Sequence, residues 1–370
     1  MSDPVVIHPE LAPETHSTLT SDAFHKRRRF HNPPGSPQAT GNFRDFWGYV
    51  FRQAFRRLPT EWPRHHAVPP EVAKQQLESS GTRSITWLGH AAFVLNLGGR
   101  RIVIDPFLAN RASPLSFAGP RRFIPSPLGI QELGPIDTLV ISHNHYDHLC
   151  WHTLKQLPNR QTIEVICPTG LMPWFQKRGF RCVKELGWHH STHAGEVQVT
   201  ALPAIHHSRR GLFDANTSLW AAFLFEYQGF KLYFGGDSAM GPVFRQTGHK
   251  YGPIDLALIG IGAYSPRKLL RSVHASPEEA VEMAKAIGAK AILGMHWGTI
   301  ELSEEAAFEP ARRFTDAASR EGYAENDIWL PSIGETIALD VVEVECELKA
   351  TGTLMPGASI DEISRSPSVF

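Results

Sequence analysis

The sequence predicts an α/β fold in which a block of strands followed by helices occurs twice along the chain. Two observations support this prediction. Short apolar segments with strand patterning are separated by glycine turns, and amphipathic helical patterns follow them. In both blocks, histidine residues come directly after strand segments. A site built from side chains at strand ends is therefore expected.

The first 80 residues are predicted to form an arm and a helix. Residues 1–40 are rich in Pro, His, Ser and Thr and lack periodicity, which indicates an irregular arm. In 41–80, an amphipathic helix and connector are predicted, because apolar residues recur at helical spacing with arginines between or beyond them. The apolar residues are Phe43, Phe46, Trp47, Val50, Phe51 and Phe55, and the arginines are Arg44, Arg52, Arg56 and Arg57. This helix either packs its apolar stripe on the domain or inserts it into a membrane surface.

Residues 81–342 are predicted to form the main domain. It begins with three short strands within 84–107, and a hairpin at 218–237 is predicted to turn at Gln228-Gly229. Single strands are predicted at 136–143, 162–168, 196–204, 254–263 and 290–297.

Helices are predicted between and after these strands. One short helix is expected at 150–157, and a longer one at 276–289, where Ser276 can cap and Glu279 is at the third helical position. The last helix is predicted at 303–322 with a bend at Pro310. Residues 343–370 lose all periodicity and are predicted to be a flexible tail.

Composition excludes several classes of protein. Lys+Arg and Asp+Glu both number 37, so no global field attracts nucleic acid, and no nucleic-acid partner is expected. The N-terminus lacks a secretory signal pattern. A membrane-spanning helix needs about 20 consecutive apolar residues, and every apolar run in the sequence is shorter. The four cysteines lie far apart without a CxxC pair, which argues against a disulfide framework or a thiolate zinc site. We expect a cytoplasmic protein, with peripheral membrane contact left open.

The stretch "SHNHYDHL", residues 142–149, predicts a metal site. Side chains two apart in an extended segment share a face, so His143 and His145 can bind one ion. Asp147 and His148 follow a turn and can face a second ion. Imidazole and carboxylate groups suit zinc, at about 2.0–2.2 Å. Four residues do not complete the coordination of two ions, so later strand ends must supply further ligands.

Three later strand ends offer such ligands. They carry His206 or His207, between which spacing does not decide, then Asp237 after a double glycine, and His296. One assignment gives His143, His145 and His206 to the first ion and Asp147, His148 and His296 to the second, with Asp237 between them. Two divalent ions about 3.5–4 Å apart can bracket a hydroxide nucleophile.

The sequence resembles the metallo-β-lactamase superfamily, because its HxHxDH motif is followed by a His, an Asp and a His at later strand ends. The motifs "WLGHA", "DPF", "GPRRF", "IGAYSPR", "HASPEEA" and "MHWGT" resemble its branch of N-acylphosphatidylethanolamine-hydrolysing phospholipases D, over about residues 25–320. The resemblance implies an αββα sandwich and two Zn²⁺ per chain. It also selects His206 as the ligand and places His274, Tyr264 and His207 at the substrate. His207 and Val273 depart from the Trp and Gln of mammalian members.

The implied reaction is hydrolysis of a phospholipid phosphodiester to phosphatidate and an N-acylethanolamine, with Asp147 and His274 as catalytic residues. The same site in another member could hydrolyse a lactone, a β-lactam or a nucleic-acid diester. A different class of function is a membrane-surface binding protein with structural metals. The expected partner is the phospholipid substrate, and peripheral membrane contact and a homodimer are left open.

Overall fold

A computed structural model describes residues 29–56, 58–115 and 117–339. Most of the predicted arm and the whole predicted tail lie outside the described residues. Residues 29–41 are without a helix and have one isolated β-bridge position, at Arg29.

The described chain contains fourteen strands and eight α-helices. The strands are β1 (Ser84–Trp87), β2 (Phe93–Leu97), β3 (Arg100–Ile104), β4 (Thr138–Val140), β5 (Glu164–Pro168), β6 (Cys182–Leu186), β7 (Ser191–Ala194), β8 (Val197–Leu202), β9 (Ala222–Tyr227), β10 (Phe230–Phe234), β11 (Ile254–Gly260), β12 (Ala289–Met295), β13 (Ile328–Trp329) and β14 (Thr336–Ala338). The helices are α1 (Phe43–Ala54), α2 (Pro70–Ser79), α3 (Trp151–Leu154), α4 (Met172–Gln176), α5 (Val243–Tyr251), α6 (Arg267–Leu270), α7 (Pro277–Ala286) and α8 (Glu309–Arg320).

The strands form two seven-stranded sheets, in the orders β14-β1-β2-β3-β4-β5-β6 and β13-β12-β11-β10-β9-β8-β7. In the first sheet, β1 and β3 both pair antiparallel with β2, and β3 to β6 run parallel. In the second, β8 and β10 pair antiparallel with β9, and β10 to β13 run parallel. The carboxyl ends of β1, β3 and β4 therefore point to the same end of their sheet. Those of β8, β10 and β12 likewise point to the same end of theirs.

The two sheets pack face to face with helices outside, which confirms the predicted αββα sandwich. Alternation along β4 illustrates the layers: Val140 belongs to the core between the sheets, whereas Leu139 faces the outer core under α2 to α4. The inner core includes Phe93, Phe223 and Phe234, all fully buried. Each buried side chain of this size contributes roughly 1.5–3 kcal/mol.

The predicted turn of the hairpin and the predicted cap of α7 are both present. The hairpin turns at Gln228-Gly229, with positive φ values of 48° and 84° that suit a tight two-residue turn. At α7, Ser276 accepts a hydrogen bond from the Glu279 backbone N–H, and the Glu279 carboxylate accepts one from the Ser276 backbone. This capping box satisfies two otherwise unpaired N–H groups.

The prediction for the last helix was wrong at its start. The helix α8 begins at Glu309, with Pro310 in its first turn, where the missing N–H of proline costs nothing. Residues 303–308 form a loop instead. Glu305 holds this loop by accepting hydrogen bonds from the backbone N–H groups of Ala263 and Ser265, at 2.6 and 2.9 Å.

The amphipathic helix α1 is present, but its apolar stripe does not pack on the domain. Phe43, Phe51 and Phe55 are 79%, 66% and 72% exposed. The polar side faces the domain instead: Tyr49 donates to the carbonyl of Leu302, and Arg52 pairs with Glu304 at 2.7 Å. The packing interpretation of the stripe is therefore wrong. None of the helices in the described ranges has the length and apolarity needed to cross a bilayer.

Candidate metal centre

The predicted ligands meet at the end of the sandwich where the carboxyl ends of these strands converge. The residues His143 to His148 follow β4, His206 follows β8, Asp237 follows β10 and His296 follows β12. The double glycine before Asp237 allows this approach, because Gly236 has a φ of 54° and a Cβ there would lie 3.1 Å from the carbonyl oxygen of Ala221.

One group of potential ligand atoms combines His143, His145, His206 and Asp237, all within 4.8 Å of one another. Nδ1 of His145 lies 2.9 Å from Nε2 of His143 and 3.1 Å from Nε2 of His206. One oxygen of Asp237 lies 3.8 Å from Nε2 of His143 and 3.7 Å from Nε2 of His206. The structure brings His206, and not His207, into this group.

A second group combines Asp147, His148 and His296 with His90. Oδ2 of Asp147 lies 3.5 Å from Nε2 of His148 and 3.7 Å from Nε2 of His296. Asp237 also contacts this group. Its Oδ2 lies 3.1 Å from Nε2 of His148, and its Oδ1 lies 3.1 Å from Nε2 of His296. Its carboxylate therefore lies between the two groups.

Unpaired buried atoms show that these residues fit metal ions. Oδ1 of Asp237 and Nε2 of His148 and His296 are buried and make no hydrogen bond, although they lie 3.1 Å from a neighbouring polar atom. Buried polar atoms without partners are rare and costly in proteins. Imidazole nitrogens and carboxylate oxygens that converge without hydrogen-bond geometry are the donor set that divalent transition metals require.

The second nitrogen of three histidines is anchored. Nδ1 of His143 lies 2.9 Å from Oγ of Ser142, Nδ1 of His148 lies 2.7 Å from Oδ2 of Asp105, and Nδ1 of His206 lies 2.9 Å from the carbonyl of Val273. These contacts orient Nε2 toward the centre, as is usual for metal-binding histidines. Two histidines differ: Nδ1 of His145 points inward, and Nδ1 of His296 is buried without a hydrogen-bond partner.

Protonation states follow from burial and from the carboxylates. Burial lowers the pKa of His143 and His206, and lowers the pKa of His145 to about 3, which favours the neutral imidazole that binds metals. Burial also opposes charge on His148 and His296, but Asp237 and Asp147 outweigh it. The pKa of His148 is raised, and that of His296 is raised to about 9.

The same contacts keep the carboxylates ionised. Burial acts to raise the pKa of Asp147 and Asp237, but the neighbouring histidines outweigh it and hold both values well below the usual range.

The predicted substrate residues divide into two sets. The His274 ring is half-buried, with its centroid 5.1 Å from the His206 ring and 5.2 Å from the His296 ring, and the His207 ring lies 4.7 Å from that of His145. Burial lowers the pKa of His274 to about 4. Tyr264 lies outside this set because its hydroxyl donates to Glu309 at 2.9 Å and accepts from Arg313 at 3.0 Å. The Tyr264 hydroxyl therefore contacts side chains of α8.

Two residues beside the candidate ligands, His90 and Asp105, were not predicted from the sequence. Nε2 of His90 lies 2.9 Å from Oδ2 of Asp147, and its ring centroid is 3.9 Å from that of His296. Asp105 is fully buried and accepts from the backbone N–H of Ser142 at 2.7 Å. Both residues follow strands, in "WLGHA" and "DPF", so the strand-end criterion applied to the first block would have found them.

An αββα sandwich with histidines and aspartates gathered at its strand ends defines a class of metal-dependent hydrolase. The family model described as the beta-lactamase superfamily domain matches residues 100–297. The chain belongs to this family and is a metal-dependent hydrolase.

Two relatives and one solved structure illustrate what the chain is similar to. The chain is similar to "N-acyl-phosphatidylethanolamine-hydrolyzing phospholipase D 1" of Caenorhabditis elegans, with 35% identity over 78% of this chain and 86% of that protein. It is 34% identical to a UPF0173 metal-dependent hydrolase of Rubrobacter xylanophilus, over 59% of this chain and 83% of the relative. A possible metal-dependent hydrolase of Veillonella parvula has the same fold, with a TM-score of 0.56, 17% identity, and coverage of 70% of this chain and 100% of that one.

Proposed function

We propose that this chain is a phosphodiesterase of the phospholipase D type that uses two zinc ions. Its substrate would be an N-acylated phosphatidylethanolamine, and its products phosphatidate and an N-acylethanolamine. One observation carries the two-ion part of the proposal, namely that Asp237 lies between two groups of histidine and aspartate ligands. The name and the 86% coverage of the Caenorhabditis elegans relative support the choice of substrate.

In this proposal the first ion is held by His143, His145 and His206, and the second by Asp147, His148 and His296. Asp237 contributes to both. With Asp237 counted for both, each ion would have four protein ligands, and water or substrate would add a fifth, which catalytic zinc can accept. Bound zinc ions supply Lewis-acid stabilisation of phosphate oxygens and lower the pKa of a bound water.

The chain's own side chains orient the reacting groups. The half-buried His274 lies against His206 and His296, where a substrate phosphate would enter. With a pKa lowered to about 4 by burial, its imidazole is neutral near pH 7 and keeps one N–H to donate to a phosphate oxygen. The ionised Asp147 can accept a hydrogen bond from the attacking water and so fix its direction. His207 would shape the pocket on the side of His145.

The reaction is tested by incubating the purified protein with N-acylated phosphatidylethanolamine, unmodified phosphatidylethanolamine, an acyl lactone and a soluble aryl phosphodiester. We expect phosphatidate and N-acylethanolamine as products, detected by mass spectrometry and lost on chelation of the metal. In water enriched in heavy oxygen, attack at phosphorus places the label in phosphatidate. Lactone hydrolysis without turnover of any diester would refute the phosphodiesterase assignment, as would label in the N-acylethanolamine.

A further inference from the structure

Exposed large apolar side chains are concentrated in three places on the described part of the chain. Ten of the eleven such residues belong to α1 with its C-cap or to two loops, and the eleventh is Trp62 in the connector after α1. The ten are Phe43, Phe46, Trp47, Val50, Phe51 and Phe55 of α1 and its C-cap, Leu115 and Phe117 of one loop, and Leu212 and Phe213 of the other. We call these ten side chains the apolar rim. Clustered exposed apolar groups of this kind mark interaction surfaces.

The helix α1 is held with its apolar stripe outward by specific polar contacts. Arg56 donates to the carbonyls of Ser303 and Glu305 and pairs with Glu301. Tyr49 donates to the carbonyl of Leu302. The stripe is therefore exposed because the opposite side of the helix is fixed to the loop that follows β12, the strand that ends before His296.

The two loops of the rim are attached to the same end of the sandwich. The loop bearing Leu115 and Phe117 follows β3, and the backbone N–H of Glu301 donates to its Arg121 carbonyl. The loop bearing Leu212 and Phe213 follows β8, and the Arg210 guanidinium donates to the carbonyl of Asn144 at 2.6 Å. All three parts of the apolar rim thus contact segments that flank the candidate metal ligands.

The charges around the apolar rim are predominantly positive. Residues 43–55, 111–122 and 208–217 contain seven arginines, of which Arg122 is buried and Arg52 is paired with Glu304, and two acids, Asp45 and Asp214. Asp45 accepts a hydrogen bond from the backbone N–H of Asn42, and Asp214 accepts from those of Arg210 and Gly211. Arg44, Arg121 and Arg209 are exposed beside the apolar side chains. Cations beside inserted apolar groups are the arrangement that binds anionic lipid surfaces.

We propose that the apolar rim is a docking surface for an anionic phospholipid membrane. This inference rests on the proposed function, because a phospholipid diester lies at the headgroup level and the site must reach it there. The rim places the strand-end loops of the candidate metal centre against that level. A second copy of the chain is a poorer occupant, because a symmetric dimer sets each surface against itself and would bring the arginines together.

The test is co-sedimentation with vesicles of phosphatidylcholine and phosphatidylglycerol, compared with pure phosphatidylcholine. The variants are Phe46→Asp with Phe51→Asp, Phe117→Asp alone, and Leu212→Asp with Phe213→Asp. The control, Gln75→Asp with Thr315→Asp, adds two negative charges at exposed positions of α2 and α8. We expect the wild type to bind anionic vesicles, each double rim variant to bind about tenfold less, and the control to bind normally.

Several results would overturn the proposal. These are a wild type that does not bind anionic vesicles, normal binding by all rim variants, or a wild-type dimer that Phe46→Asp with Phe51→Asp converts to a monomer. Thermal unfolding and metal content identify any variant that fails to fold, and the single variant Phe117→Asp, in an exposed loop, keeps the test decisive in that case. Binding rather than turnover is measured, so failure of the proposed reaction would leave this result interpretable.

Discussion

Nε2 of His90 lies 2.9 Å from Oδ2 of Asp147, although these residues follow different strands, β1 and β4. His90 has a φ of 57°, an uncommon conformation for a residue with a side chain, and its backbone N–H donates to Oγ1 of Thr299 at 2.9 Å. Burial lowers the pKa of His90 to about 3, so the ring is neutral. This contact is therefore suited to orient the Asp147 carboxylate toward His148 and His296, the other candidate ligands of the second group.

The first prediction follows from this contact. His90→Ala should weaken binding of the proposed second ion, assigned to Asp147, His148 and His296, by about 10–100-fold, the usual cost of losing an orienting partner. Competition with a chromophoric chelator measures this affinity directly, without an activity assay. His90→Gln retains a donor and should recover part of the loss. His193→Ala, at an exposed histidine of β7, is the control. Equal metal affinity in His90→Ala and the control would remove His90 from the site.

The second prediction concerns the number of ions. Protein purified without chelator should contain close to two zinc ions per chain, because seven candidate ligands exceed the needs of one tetrahedral ion. Asp237→Ala should lose at least one ion, since Asp237 reaches both ligand groups. Elemental analysis gives both values. One ion per chain in the wild type, unchanged in Asp237→Ala, would refute the bridging role.

The third prediction separates the adjacent histidines 206 and 207. Nε2 of His206 points into the first ligand group, whereas His207 is half-buried beside it. His206→Ala should therefore lose metal and nearly all activity. His207→Ala should keep its metal and change mainly KM. The measurements are metal content together with kcat and KM for each variant. Equal loss of metal in both variants would mean that His207 is needed for metal binding as much as His206, which would contradict the assignment of His206 alone.

The fold and the meeting of the candidate ligands at one place could be predicted from the sequence for the same physical reason. Parallel strands bring their carboxyl ends together, so residues distant in the chain, such as Asp237 and His296, meet once each is placed at a strand end. Periodicity could not tell which side of α1 faces the domain, because that depends on contacts of Tyr49 and Arg56 with a loop 250 residues away. The direction of the Tyr264 hydroxyl depends in the same way on Glu309 and Arg313 of α8.

The last prediction concerns Asp105, which supports the site without being one of the predicted ligands. Its fully buried carboxylate accepts from the backbone N–H and the hydroxyl of Ser142, and it contacts Nδ1 of His148 at 2.7 Å. Asp105→Ala leaves the buried Ser142 N–H without its acceptor. Each such unmade hydrogen bond costs about 1–3 kcal/mol, so the free energy of unfolding should fall by roughly 3 kcal/mol.

Denaturant unfolding measures this change for the metal-loaded protein. The matched control is Asp316→Ala, which removes an exposed carboxylate 3.4 Å from Arg312 on α8. An exposed pair of this kind contributes about 0–1 kcal/mol, so the control should be nearly as stable as the wild type. Asp105→Asn keeps an acceptor for the Ser142 N–H and should fall between the two. If Asp105→Ala is as stable as the control, Asp105 does not hold the loop after β4, and the orientation of His148 must come from another contact.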